Sequence, residues 1–260
     1  KKIVSWDVGQ GFRPLDVIQQ ENRRALYGGT LEGVRVAMAE RYVGDAAWSA
    51  VLANPLKDGE ARGPQEAAAA LRYYLHHGRT DWHAVARWGR RTGSRGGVAL
   101  AWVASDAIEV HASLLRADRL DRVSADGLPD AAQPGAGGWQ STLGASWTGE
   151  NQLSLLTEYW HDSRAWRSAD WQAWQARASG LPAWLPAEAR QGALAALATA
   201  FGTPNLRRDN LLVRAAWTVN GWDPAIEMVY MPADRGRITT ASLAWQGDVL
   251  RLEAGYRPFD

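Results

Sequence analysis

The chain has 260 residues with 29 basic and 28 acidic side chains, and this balance lacks the basic excess typical of a nucleic-acid-binding protein. The absence of cysteine excludes disulfides, thiol catalysis and thiolate metal sites. Tryptophan is abundant, with 15 residues against 3 phenylalanines, which indicates an extensive apolar–polar boundary at either a membrane interface or a ligand groove.

No apolar run approaches the ~18–20 residues of a membrane-spanning helix. The first residues, KKIVSWD, lack the apolar core and cleavage site of a secretory signal. They resemble the middle of a strand instead, so we predict a strand over Lys1–Asp7 and expect a trimmed or incomplete chain.

Strict alternation of apolar and polar residues then recurs along most of the chain. It begins at Val34, Val36 and Met38 and is clearest around Asn220-Gly221, a strong hairpin signal. About thirteen strands of ~8–12 residues are predicted, a length that suits tilted membrane strands.

Short and long connections alternate between these predicted strands. The tight turns fall at Gly44-Asp45, His77–Thr80, Ser105-Asp106, Gly149–Asn151, Asn220-Gly221 and Gln246–Asp248. The longer connections are Gln10–Thr30, Asn54–Pro64, Thr92–Gly96, Ala117–Gly137, Asp162–Arg208 and Pro232–Gly236. The alternation predicts an antiparallel up-and-down transmembrane β-barrel with tight turns on one rim and long loops on the other.

A soluble all-β domain also has alternating strands, because one sheet face packs on a core. Two features favour the membrane barrel: many strands place small or polar residues on one face, and aromatic residues lie at strand ends. Trp147 lies eight positions after Trp139, which corresponds to roughly 20 Å along the membrane normal for a tilted strand. We predict membrane-interface positions for Trp82, Trp88, Trp139, Trp147, Trp217, Trp245 and Tyr256.

The predicted strand count is odd, which is unusual for a bacterial single-chain barrel. Lys1–Asp7 and Leu250–Arg257 would run in the same direction and could not pair as antiparallel neighbours. We therefore predict one barrel domain over residues 1–260 that is incomplete at one or both ends, with 14 or more strands in the complete barrel.

The segment SWDVGQGFRPLDVI, Ser5–Ile18, resembles a signature of Gram-negative outer-membrane barrels of the porin-like or alginate-export-like type. Some of these barrels are associated with RND-type exporters. Trp6, Gly9, Gly11, Pro14 and Asp16 carry the resemblance, and Asp7 stands where a glycine is common. The resemblance implies a barrel with a transport-related role and does not identify a substrate.

Charged residues on one strand face are candidates for the lining of a lumen. They could set ion selectivity, or they could form Arg–Glu ladders that hold strands together. The predicted pore-lining residues are Arg35, Arg72, Arg87, Glu109, His111, Glu158, Arg214, Glu227, Arg251 and Glu253.

The long connection 162–208 contains helix signals. Ser168 could cap a turn that holds Trp171 and Trp174, and a helix could run from Pro186 to Phe201. The segment is either a constriction folded into the lumen or a cap outside it, and Gln10–Thr30 is a second candidate for narrowing the lumen.

Catalytic and metal motifs are weak. Five histidines lack convergent carboxylates, so no metal site is predicted. His161, Asp162 and Ser163 have the residue types of a triad, but consecutive residues rarely adopt triad geometry. Gly9-Gln10-Gly11 lacks the context of a phosphate-binding loop and is interpreted as a turn.

We therefore expect a bacterial outer-membrane channel or export conduit with a charged, Arg-rich lumen, without enzymatic activity and without a cofactor. Its expected partners are outer-membrane lipid and lipopolysaccharide, with periplasmic or inner-membrane export proteins as further candidates. The alternatives are an outer-membrane barrel enzyme that acts on lipid or lipopolysaccharide, with His161 or His111 as its candidate residues, and a non-conducting barrel scaffold for periplasmic partners.

Overall fold

The computed structural model describes residues 3–19, 33–54, 66–90, 92–119, 134–198 and 207–258. Twelve antiparallel strands form a single sheet in which each strand pairs with the next in sequence, and this confirms the all-β up-and-down fold. The strands are β1 (Val36–Val43), β2 (Ala46–Ala53), β3 (Ala68–His77), β4 (Thr80–Gly89), β5 (Gly93–Ser105), β6 (Ile108–Arg119), β7 (Pro134–Thr148), β8 (Leu153–Asp162), β9 (Asp209–Trp217), β10 (Trp222–Met231), β11 (Gly236–Gln246) and β12 (Arg251–Tyr256).

Tight turns and longer connections alternate around the sheet as the sequence predicts. The tight-turn rim contains glycines in the left-handed region, such as Gly44 (φ 56°) and Gly221 (φ 79°), because tight hairpin turns need positive φ. At the other rim, the long-loop rim, the β4–β5 connection spans only residues 90–92. It is shorter than predicted because Gly93 to Gly96 already belong to β5.

The two faces of the sheet differ in chemistry. The outer face exposes large apolar side chains such as Leu52, Leu143 and Ile226, each more than half exposed. The inner face contains buried polar groups that include His111 and Glu158. A water-soluble sheet covers its apolar face. Here large apolar side chains remain exposed over the whole outer face, while the inner face buries both polar and apolar groups.

Aromatic residues collect at both ends of the outer face. Trp222 and Trp245 pair across β10 and β11 beside the tight-turn rim, and their rings lie 6.3 Å apart. The outer face shared by cross-strand partners contains all the aromatic residues that we predict at membrane interfaces: Trp82, Trp147, Trp217 and Trp245 near the tight-turn rim, and Trp88, Trp139 and Tyr256 toward the long-loop rim.

The described ranges contain twelve strands where about thirteen are predicted, because residues 3–7 are not a strand. The argument that the first and last strands cannot be antiparallel neighbours relied on a strand over Lys1–Asp7. It does not apply to β1 and β12, which run in opposite directions. In the described part of the chain, β1 and β12 are the two edges of the sheet and do not pair with each other.

Two helices, α1 (Ser168–Ser179) and α2 (Ala187–Ala198), lie in the connection between β8 and β9. At the start of α1, the Asp170 carboxylate accepts the backbone N–H of Arg167 at 2.8 Å. The α1 tryptophans pack together, with Trp171 and Trp174 ring centroids 5.8 Å apart. The predicted end of the second helix, Phe201-Gly202, lies outside the described residues. No helix in the described ranges is long and apolar enough to cross a membrane.

Candidate functional site

The described N-terminal segment, residues 3–19, lies against the inner face of the sheet. Its apolar side chains include Trp6 and Leu15, which are 4% and 0% exposed. They share a buried cluster with small and branched side chains of β2 to β6, such as Val51, Val85 and Leu115. Fully burying one such branched side chain contributes about 1.5–3 kcal/mol, so this cluster is one of the contacts that stabilise the docked segment.

A second apolar contact lies farther around the wall. Phe12 packs against Leu156 and Trp160 of β8 and Leu212 of β9. The rings of Phe12 and Trp160 meet edge to face with centroids 5.1 Å apart, which is a favourable arrangement for an aromatic pair. The N-terminal segment therefore bridges much of the inner face, from β2 to β9.

Glu158 is the polar anchor of the N-terminal segment. Its carboxylate accepts backbone N–H groups from three consecutive residues: Gln10 at 2.7 Å, Gly11 at 2.8 Å and Phe12 at 2.7 Å. His111 Nε2 lies 2.9 Å from the same carboxylate, and both side chains are fully buried. Successive N–H groups that converge in this way form an anion-binding nest, and the bound anion here is a side chain of the barrel wall.

The nest requires glycine at position 11. A Cβ there would lie 2.4 Å from Glu158 Oε2 and 2.5 Å from Leu212 Cδ2. The Gly9-Gln10-Gly11 segment, for which the sequence predicts a turn, bends at Gln10 and Gly11. Its glycines allow the backbone to approach the wall closely, which is one reason that glycine is used beside a binding group.

Two aspartates fix the internal shape of the segment. Asp16 accepts the Ser5 hydroxyl at 2.9 Å and the Trp6 N–H at 2.7 Å. Asp7 accepts the Ser113 hydroxyl of β6 at 2.6 Å. Burial raises the pKa of both carboxyl groups, an effect that their hydrogen bonds only partly offset.

Gly144 of β7 lies beneath the His111–Glu158 pair, and its replacement tests that pair. A Cβ at this position would meet His111 Nε2 at 2.3 Å and Glu158 Cγ at 2.7 Å. We expect Gly144→Ala to destabilise the folded chain by about 1–3 kcal/mol in a denaturant titration, because an inserted methyl group forces buried neighbours apart. Gly192→Ala in the exposed α2 is the control, since no atom lies within 4 Å of its added Cβ.

Nine of the ten predicted pore-lining residues lie on the inner face of the sheet. Glu158 and His111 are committed to the N-terminal segment, and Arg87 is buried in an ion pair with Glu66 at 2.7 Å. Arg72 Nη2 lies 3.2 Å from His83 Nδ1. The more open inner-face charges are Glu109 of β6, with a side chain 37% exposed, and four residues of β9 to β12: Arg214, Glu227, Arg251 and Glu253.

The inward orientation predicted for Arg35 is wrong. Arg35 precedes β1, and its carbonyl accepts the Asn54 N–H at 2.7 Å, which extends the β1–β2 register. This register places Arg35 on the outer face, because Val36 and Met38 pack inward against the N-terminal cluster. The alternating apolar residues of β1 therefore lie on the inner face, whereas those of the other strands lie mainly on the outer face.

The sequence reasoning missed the docking of residues 3–19, which it interpreted as a strand and the start of a loop. The available signal was the pairing of two glycines with two aspartates around Pro14, since such residues stabilise compact irregular backbone.

The described residues contain no group of three or more His, Asp or Glu side chains that could hold a metal ion. The consecutive His161, Asp162 and Ser163 do not form a triad. Asp162 points inward and pairs with Arg164 at 2.9 Å, while the Ser163 hydroxyl accepts the Trp139 N–H at 2.7 Å.

No protein-family description and no curated protein matches the sequence. Among solved structures, the chain is similar to the outer membrane channel DcaP of Acinetobacter baumannii. The identity is 10%, the alignment covers 96% of this chain and 68% of that chain, and the TM-score is 0.44.

Proposed function

We propose that the protein is an outer-membrane channel whose lumen is occupied by its own N-terminal segment. The observation that carries the proposal is the inverted chemistry of the sheet, with apolar side chains exposed outside and polar groups buried inside. Closed barrels of this kind span bilayers with strands, and their aromatic residues lie at both interfaces. The long-loop rim would then face the outside of the cell, as it does in bacterial barrels.

The barrel must close for this function. We propose that β1 and β12 pair directly, or that further strands join between them. Their opposite directions permit both solutions with an even strand number. The helices α1 and α2 act as a cap on the long-loop rim, supported by the self-packing of their tryptophans.

Conductance in a planar bilayer tests the proposal. The intact chain should insert and show rare or small current steps, because residues 3–19 bridge the inner face. A variant without residues 3–19 should show stable, larger steps. Insertion of both proteins with no conductance from either would overturn the channel and favour a scaffold.

Ion selectivity tests the lumen charges. Arg214 and Arg251 lie on the more open part of the inner face. A unit charge acting at ~4 Å in water contributes about 1 kcal/mol, a factor of about five in local ion concentration. Changing both arginines to glutamine should therefore reduce anion preference by at least this factor, measured from reversal potentials in a salt gradient.

The control for the selectivity experiment is Arg41→Gln, because Arg41 shares the outer face with its cross-strand partner Trp48. It should leave selectivity unchanged. Equal selectivity of the double variant and the intact protein would indicate that the inner arginines only hold strands together.

A further inference from the structure

A row of polar side chains crosses the outer face near the long-loop rim, where exposed apolar residues otherwise predominate. Ser141 of β7 is the cross-strand partner of His161 of β8, and His161 is the partner of Asp209 of β9. Directly opposed residues in antiparallel strands have Cβ atoms about 4.5–5.5 Å apart. The three side chains therefore lie side by side in the order serine, histidine, aspartate.

The hydrogen bonds orient the histidine as a general base. His161 Nδ1 lies 2.8 Å from Asp209 Oδ1, and the Tyr159 hydroxyl also donates to this carboxylate. Because a carboxylate can only accept, Nδ1 carries the proton and Nε2 of the neutral ring is free to take another. A carboxylate that fixes a histidine in this tautomer is the arrangement that activates a serine nucleophile.

Ser141 completes the row without a hydrogen bond to His161 in the described structure. Proton transfer requires that Ser141 Oγ and His161 Nε2 come within hydrogen-bond distance in the reacting complex. Such bonds are often loose before substrate binds and tighten in the reacting complex, so the register is the relevant observation.

The depth of the row matches the ester bonds of a lipid. Ser141 lies two residues from Trp139 on the same strand face, at the end of the apolar band. Arg116 is the partner of Trp139, and its guanidinium lies 4.9 Å from the centre of the indole ring. An arginine at this level can bind the phosphate of a lipid headgroup, because its planar fork matches phosphate oxygens.

We infer that Ser141, His161 and Asp209 form a lipid-facing hydrolase site for the fatty acyl ester of a phosphorylated membrane lipid. This activity rests on the membrane placement of the proposed channel and adds to it. Ser141 Oγ attacks the ester carbonyl while His161 Nε2 accepts its proton. The tetrahedral intermediate expels the lipid alkoxide, which takes that proton and leaves as an alcohol. Water then hydrolyses the acyl-serine and releases the fatty acid.

The test measures fatty acid release by the full chain in detergent micelles that contain either phosphatidylglycerol or lipid A. Release from one or both lipids is expected and identifies the source of the ester. Ser141→Ala and His161→Asn should each reduce release to the level of lipid alone. Arg116→Gln should raise KM with little change in kcat, since Arg116 positions the phosphate.

Two matched variants control for folding and surface effects. Ser94→Ala removes an exposed serine of β5 that lies on the outer face, as Ser141 does. The cross-strand partner of Ser94 is Trp88. His76→Asn alters a similar cluster, in which Tyr74 and His76 both contact Asp81, but at the tight-turn rim and on the inner face. Both variants should keep full release.

A second measurement does not depend on turnover. An alkyl fluorophosphonate should add its phosphonyl group to Ser141, detected by mass on the peptide that contains this residue. The proposal would be overturned if the intact protein showed neither fatty acid release nor labelling above the level of the Ser141→Ala protein. Conductance is recorded separately, so the two proposals can fail independently. A protein that conducts ions but releases no fatty acid would reject only the hydrolase site. A protein that does not insert into the membrane would reject the channel.

Discussion

Replacement of Glu158 by alanine is expected to release the N-terminal segment from the inner face. The change leaves the N–H groups of Gln10, Gly11 and Phe12 without their acceptor and removes the partner of His111. Breaking a buried, charged contact by removing one partner costs about 3–5 kcal/mol. This corresponds to a factor of about 10²–10⁴ in the equilibrium between docked and free segment.

Thiol labelling can detect the release, because the natural chain has no cysteine. Leu15→Cys introduces a single thiol at a fully buried position of the segment. This thiol should react slowly with a water-soluble maleimide in the otherwise unchanged protein. Adding Glu158→Ala should accelerate labelling by about the same 10²–10⁴ factor, since labelling follows the population of the open form.

Glu253→Ala is the matched control for this experiment. Glu253 is an exposed inner-face carboxylate with a loose contact to Arg251 at 3.8 Å. Its removal should leave the labelling rate unchanged. Slow labelling in the Glu158→Ala protein would show that the apolar cluster around Trp6 and Leu15 holds the segment without the nest.

The strand pattern was largely predictable because alternation and turn chemistry are local properties. The Asn220-Gly221 hairpin and the outer-face tryptophans needed only the period of two along each strand. The first strand was assigned to the wrong face, because Val36 and Met38 cover the N-terminal segment. No local pattern shows that an inner face will be covered by another part of the chain.

The candidate sites depend on register, which the sequence does not display. Gln10 and Glu158 are 148 positions apart, and their contact follows from the path of an irregular segment across the sheet. His161 was singled out with its neighbours Asp162 and Ser163. The pairing of β7, β8 and β9 instead brings Ser141 and Asp209 beside it, from 20 and 48 positions away. Adjacent residues of a strand point to opposite faces, so the consecutive motif could not assemble.

The second large effect is expected on the outer face. The change in folding stability caused by Leu143→Arg distinguishes a strand that faces lipid from one that faces water. Leu143 lies midway between Trp139 and Trp147 on β7 and is 59% exposed. In a bilayer, arginine at the midplane of a barrel destabilises the fold by about 2–4 kcal/mol. In water, an exposed leucine can become arginine with a change within about 0.5 kcal/mol.

The experiment is urea unfolding of the chain refolded in phosphatidylcholine vesicles, with Val249→Arg as the control. Val249 is fully exposed in the turn before β12, beyond the apolar band, and should tolerate a charge. If Leu143→Arg lowers the free energy of unfolding by about 2–4 kcal/mol and Val249→Arg does not lower it, the middle of β7 lies in hydrocarbon. Equal stability of both variants would mean that water covers the outer face. The channel and the lipid-facing serine would then both be rejected, because each requires that this face meet lipid.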